Sequence, residues 1–85
     1  MDEEMYRTVV SVLVRTAGVP EQRLEPDARL DELGLDSLAI LEVGLVLQKE
    51  IGPEVDDADV AGARTVADLV DVARSAAAAS SSPTG

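Results

Sequence analysis

Asp36 and Ser37 set a carboxylate beside a hydroxyl at the head of an apolar run, and are the residues whose types and spacing come nearest to chemistry. A serine becomes a nucleophile when a neighbouring base takes its proton. The chain contains no histidine and no cysteine. That removes the usual base near neutral pH, every Ser-His or Cys-His pairing, thiolate metal sites and disulfides. Only carboxylates, hydroxyls and a few cations remain, and no two acids sit in a stretch apolar enough to separate their pKa values as an acid–base pair requires. Any thiol chemistry must be borrowed. On its own the Asp-Ser pair also has an ordinary explanation, because both residue types are favoured in first helical turns as caps.

The elements that must position this pair read as helices. Met5, Val9, Val12 and Leu13 follow the spacing of an amphipathic helix running from about Asp2 to Ala17 and stopped by Gly18 and Pro20. A connection from Gly18 to Asp36 follows, long for a compact domain but carrying Leu24, Leu30, Leu33 and Leu35 to pin it down. A second helix begins after Asp36, an apt N-cap, and ends near Ile51, before Gly52 and Pro53. Asp56 to Ala61 can form only a short helix or turn. Thr65 opens the last helix, with Asp68 in a capping-box arrangement and Val66, Leu69, Val70 and Ala73 as its buried stripe. The carrier of these elements is expected to be one domain over residues 1–74, and the Ala/Ser-rich stretch 75–85 a frayed, then disordered tail. With no strand-like alternation and no repeat, the fold class is all-α, a small, mostly antiparallel bundle of three principal helices plus a short one.

The second helix has two apolar faces. At 100° per residue Ile40, Val43, Leu47 and Ile51 lie on one side, and Leu38, Leu41 and Leu45 lie opposite, beside Glu42 and Lys49. The first set spans the helix and is the candidate core. The second is left to solvent as a charge-edged leucine stripe, the usual mark of a partner site. For Leu41, exposure and burial beneath the long connection are both open.

Charge narrows the partners. Seventeen acids against seven basic residues give a formal net charge of -10, which argues against nucleic acid and anionic membranes and favours basic partners. Asp31, Glu32, Asp36, Glu42, Glu50, Glu54, Asp56, Asp57 and Asp59 crowd one segment whose only cation is Lys49. A merely solvated acidic face would account for the same imbalance. The start, Met1-Asp2-Glu3-Glu4, is acidic and precedes no apolar run of signal-peptide or membrane-span length, so a cytoplasmic location is expected.

Gly34-Leu35-Asp36-Ser37-Leu38 resembles, residue for residue, the Gly-x-Asp-Ser-Leu attachment motif of the acyl carrier protein family. The similarity runs from about Met5 to Val72 and takes in Glu42, the Asp56-Asp57 region and Thr65-Val66. The resemblance implies a non-enzymatic carrier. Ser37 would receive 4′-phosphopantetheine from coenzyme A through a separate magnesium-dependent phosphopantetheinyl transferase. Acyl intermediates would then ride as thioesters to acyl-transferring or condensing enzymes with basic docking surfaces. Asp36 would serve both as cap and in transferase recognition, although the cap alone explains it. Leu38 would be the exposed anchor for partners, joined by Leu41 and Leu45 of its stripe, and Glu42, Asp56 and Asp57 the acids that meet basic residues. No metal ligand, nucleic acid or membrane contact is implied, and the carrier would act as a monomer.

Ala39, Gln48 and Lys49 stand where the fatty-acid type tends to be acidic, so the resemblance implies different partners, in polyketide, antibiotic or other natural-product biosynthesis or in fatty acid biosynthesis. A peptidyl or aminoacyl carrier would bear the same arm, but more often has glycine or histidine before the serine, and Asp36 leans towards acyl cargo. The reading from another class is an unmodified helical adaptor docking through Leu38, Leu41 and Leu45. A lasting arm on Ser37 would eliminate it.

Overall fold

The structure, a computed structural model, describes residues 3–80. Its helices are α1 (Glu3–Ala17), α2 (Ser37–Glu50), α3 (Asp57–Gly62) and α4 (Val66–Ser80), with a short 3-10 turn at Glu21–Arg23. The only β pairing among the described residues is the isolated bridge between Arg29 and Thr65. The all-α architecture expected from periodicity is the one formed.

The core is small and almost wholly aliphatic. Val9, Val12 and Leu13 of α1 meet Val43 and Leu47 of α2 and Val66, Leu69 and Ala73 of α4, all fully buried. Each follows the spacing that places residues three and four apart on one helix face. Burying each of these valines and leucines contributes about 1.5–3 kcal/mol, so the core must supply most of the stability of so short a chain. Val60 of α3 and Val55 before it close the remaining side.

The connection between α1 and α2 is held by its leucines and by the start of α4. Leu24, Leu30 and Leu35 are buried and Leu33 is half-buried. Leu30 N donates to Arg64 O at 2.8 Å, Val66 N to Ala28 O at 3.1 Å and Ala67 N to Pro26 O at 2.9 Å. Tyr6 donates its hydroxyl to Leu24 O. Burial, followed by Glu25 and Glu21, pushes the Tyr6 pKa up, which keeps that hydroxyl a donor. The connection thus returns the chain to the first turns of α1 before α2 begins. As a result the last turns of α1 and α2 come together, joined by Arg15 and Glu50 at 2.6 Å, an arrangement that a link this long allows.

One boundary differs from the sequence reading. The last helix does not break at Arg74 but continues to Ser80, and Ala76 is buried against the core. Alanine has the highest helix propensity, and Ala76 lies three residues after Ala73 on the same face. Residues 81–85 of the expected tail lie outside the described residues.

Candidate functional site

Ser37 is the first residue of α2, and three neighbouring features fix its position. Gly34 adopts φ +84°, a left-handed conformation that side chains disfavour, and lets the chain turn sharply. Leu35 anchors the turn in the core while its N–H donates to Leu30 O at 3.2 Å. Asp36, in extended conformation, caps the helix by accepting from Ala39 N at 2.8 Å. A cap of this kind is worth about 1 kcal/mol. Ser37 is exposed, and its hydroxyl has no hydrogen-bond partner among the described residues. Its N–H and that of Leu38 precede the first intrahelical bond, which Ile40 makes to Asp36 O at 3.0 Å. An exposed hydroxyl beside free N–H groups at a positive helix end suits a phosphodiester.

Beside Ser37 opens a cleft of about 480 Å³. Leu30, Leu35, Ile40 and Leu41 form one wall, Ala61 and Ala63 the other, and Asp31, Asp36, Arg29 and Arg64 stand around it. The opposite wall exists because α3 returns the chain from the far end of α2 to the Ser37 end. Gly44 permits that packing. A Cβ there would lie 3.1 Å from Val60 Cγ1. At the far end, Gln48 Nε2 donates to Val55 O at 3.1 Å and to Asp57 Oδ1 at 2.8 Å, tying α2 to the start of α3.

The structure separates the residues singled out in the sequence into two groups. Leu38, Leu41 and Leu45 are 65%, 49% and 54% exposed, and Glu42 is exposed beside them, so the stripe lies on the surface that begins at Ser37. For Leu41 the connection does not cover the side chain; it lines the mouth of the cleft instead. Asp56 and Asp57 are exposed but lie near Gln48, eleven residues along α2 from Ser37, roughly 16 Å at helical rise. Asp56 caps α3 by accepting from Ala58 N at 2.7 Å. The sequence reading did not single out Arg29 or Arg64. Arg64 lies beyond α3, outside any periodic pattern, and only the lashing of the connection to Thr65 and Val66 brings it near Ser37.

Among the described residues no cluster of acids could hold a metal ion, and no helix is long and apolar enough to cross a membrane.

Residues 7–73 match the protein family described as the phosphopantetheine attachment site. An acyl carrier protein of Thermotoga maritima is 38% identical over 69 residues, covering 80% of this chain and 85% of that protein. Meromycolate extension acyl carrier proteins of Mycobacterium leprae and Mycobacterium tuberculosis are each 29% identical over 69 residues, covering 80% of this chain and 60% of theirs.

Proposed function

The chain belongs to the phosphopantetheine-attachment family of acyl carrier proteins, carriers and not catalysts, and from that premise we propose that Ser37 is its attachment residue. The observation that carries the assignment is the exposed, unpartnered Ser37 hydroxyl at the N-terminal end of α2, just after its Asp36 cap. In the loading reaction Ser37 Oγ bonds to the phosphorus next to pantetheine in coenzyme A. The pyrophosphate bond breaks, adenosine bisphosphate leaves, and the hydroxyl proton passes to a base on the transferase. This chain contributes position, not a base, in keeping with a sequence that lacks histidine. When attached, phosphopantetheine supplies the thiol on which acyl groups are carried.

Asp36 holds Ser37 at the first turn and presents a carboxylate to the transferase. Leu38, Leu41 and Leu45 give partners an apolar strip, and Glu42 gives basic partner surfaces an acid. Asp56 and Asp57 extend the acidic surface to the far end of α2. The cargo is acyl, handled in the cytoplasm by acyl-transferring or condensing enzymes. Ala39, Gln48 and Lys49 favour partners other than those of the fatty-acid type, and a polyketide or related natural-product pathway fits them. Gln48 is neutral, and its amide is engaged by Val55 O and Asp57 Oδ1, so this position offers partners no acid.

Incubation with coenzyme A, magnesium and a broad-specificity transferase, followed by intact mass, tests the assignment. The wild-type chain gains one arm, and Ser37→Ala gains none while remaining folded. Modification of Ser37→Ala at another serine would sink it.

A further inference from the structure

In a chain of net charge -10, two of the seven basic residues, Arg29 and Arg64, line the cleft beside Ser37. Arg29 is paired with Asp31, Nη2 to Oδ2 at 3.1 Å. Arg64 is different. The fold uses it through its main chain, whose carbonyl accepts from Leu30 N at 2.8 Å and whose N–H donates to Asp68 Oδ2 at 2.9 Å. Its guanidinium is exposed and forms no ion pair among the described residues, whereas Arg7, Arg15, Arg29 and Arg74 each do. It acts on the Asp68 carboxylate only as a weak Coulombic neighbour. Of the acids at the cleft, Asp31 is taken by Arg29, and Asp36 is turned to Ala39 N.

We propose that Arg64, with Arg29 beside it, makes the cleft next to Ser37 a binding subsite for an oxyanion carried on the arm. This rests on the assignment of Ser37 above. Guanidinium recognises planar or tetrahedral oxyanions through its fixed fork of donors, and in a concave site with apolar walls that attraction is screened less than on an open surface. The oxyanion has two possible sources. One is the phosphodiester on Ser37 itself. The other is the terminal carboxylate of a dicarboxylic acyl group brought back over the Leu30, Leu35, Ile40 and Leu41 wall.

The test compares apo protein with protein loaded from coenzyme A, butyryl-coenzyme A or malonyl-coenzyme A, each product verified by intact mass. The readout is the NMR position of the Arg64 Nε–H resonance. A displacement common to all three loaded forms identifies the phosphodiester, and one confined to the malonyl form identifies the carboxylate. Either displacement supports the subsite. Arg64→Gln, which leaves both main-chain bonds intact, should abolish any extra thermal stabilisation that loading confers on the wild type. Correct masses with Arg64 and Arg29 resonances unchanged in all forms would overturn the proposal. Failure to load Ser37 would instead overturn the attachment assignment, on which the subsite depends.

Discussion

Helices α2 and α4 are almost equal in length and use their apolar residues in opposite ways. In α4, Val66, Leu69, Val70, Ala73 and Ala76 share one buried face. In α2 only Val43, Gly44 and Leu47 are buried, although the helix is richer in large apolar residues, and three leucines face outward. An amphipathic helix such as α4 is explained by packing alone. α2 is not. Its inner face belongs to the scaffold, while the outer face carries exposed apolar surface that starts at Ser37. The difference is what the recognition surface proposed for α2 rests on, and α4 has no counterpart to it.

The strongest challenge to that contrast is truncation at the two inner faces. Leu47→Ala and Leu69→Ala should each destabilise by about 2–5 kcal/mol, since both side chains are fully buried. Against a total stability of about 5–15 kcal/mol, either could leave a partly unfolded population at room temperature. Urea melts measure this. A Leu47→Ala cost far below that of Leu69→Ala would mean that α2 belongs to the scaffold less than its burial indicates.

A smaller effect is expected where α3 leans on α2. Gly44→Ala gains about 0.8–1 kcal/mol of helix propensity but overpacks a fully buried site, at a typical cost of about 1–3 kcal/mol. The new methyl would stand 3.1 Å from Val60 Cγ1, and β-branched Val60 has little rotamer freedom to yield. The expected net loss is about 1 kcal/mol, with strong coupling to Val60→Ala in a double-mutant cycle. Additive single effects would show that the seam has room to spare.

The start of α4 offers a scaffold counterpart to the Asp36 cap. Asp68 N donates to Thr65 Oγ1 at 3.2 Å, while Asp68 Oδ2 accepts from Arg64 N and Thr65 N. Those backbone donors, Arg64 first, hold the Asp68 pKa below the usual aspartate value, against the opposing effect of burial. A lowered folded-state pKa contributes stability above the unfolded-state pKa, and that contribution is lost as pH falls through the folded value. Thr65→Ala should cost about 1 kcal/mol at neutral pH. Asp68→Asn should weaken the acid limb of the stability profile, read as a smaller fall in melting temperature between pH 5 and pH 3. An unchanged acid limb would assign that sensitivity to other carboxylates.

The sequence made α1, α2 and the start of α4 legible because their signals are local. Asp36, Gly52 and the Thr65-Asp68 pair mark boundaries by capping chemistry, and Val43 and Leu47 declare the inner face by spacing alone. The cleft was not legible. It is made by contacts between segments with no common period: Arg29 with Thr65, Leu30 with Arg64, and Gly44 with Val60. The extension of α4 to Ser80 was missed for another reason. A run of alanine and serine fits both a helix and a loose tail, and the burial of Ala76 decides between them.

The smallest expected effect on stability, and the most informative for function, belongs to the outer face of α2. Leu38 and Leu45 are more than half exposed, so their truncation to alanine should change stability by no more than about 0.5 kcal/mol. Their apolar surface is then free to be covered by a partner, and losing it should lower transferase and acyl-transfer kcat/KM while the melting temperature holds. Leu41 differs because it also lines the cleft beside Ser37. Leu41→Ala should reduce partner reactions and also alter the environment of the loaded arm. Glu42→Lys acts through charge alone, slowing association with basic partners most at low salt and little at high salt, where the field is screened. Paired thermal melts and steady-state kinetics for the four variants distinguish these roles. If Leu38→Ala and Leu45→Ala unfolded the domain, the outer face would prove to be scaffold like the inner one. If instead they left both fold and kinetics untouched, the contrast between α2 and α4 would stand as geometry, and recognition would have to lie elsewhere on the acidic surface.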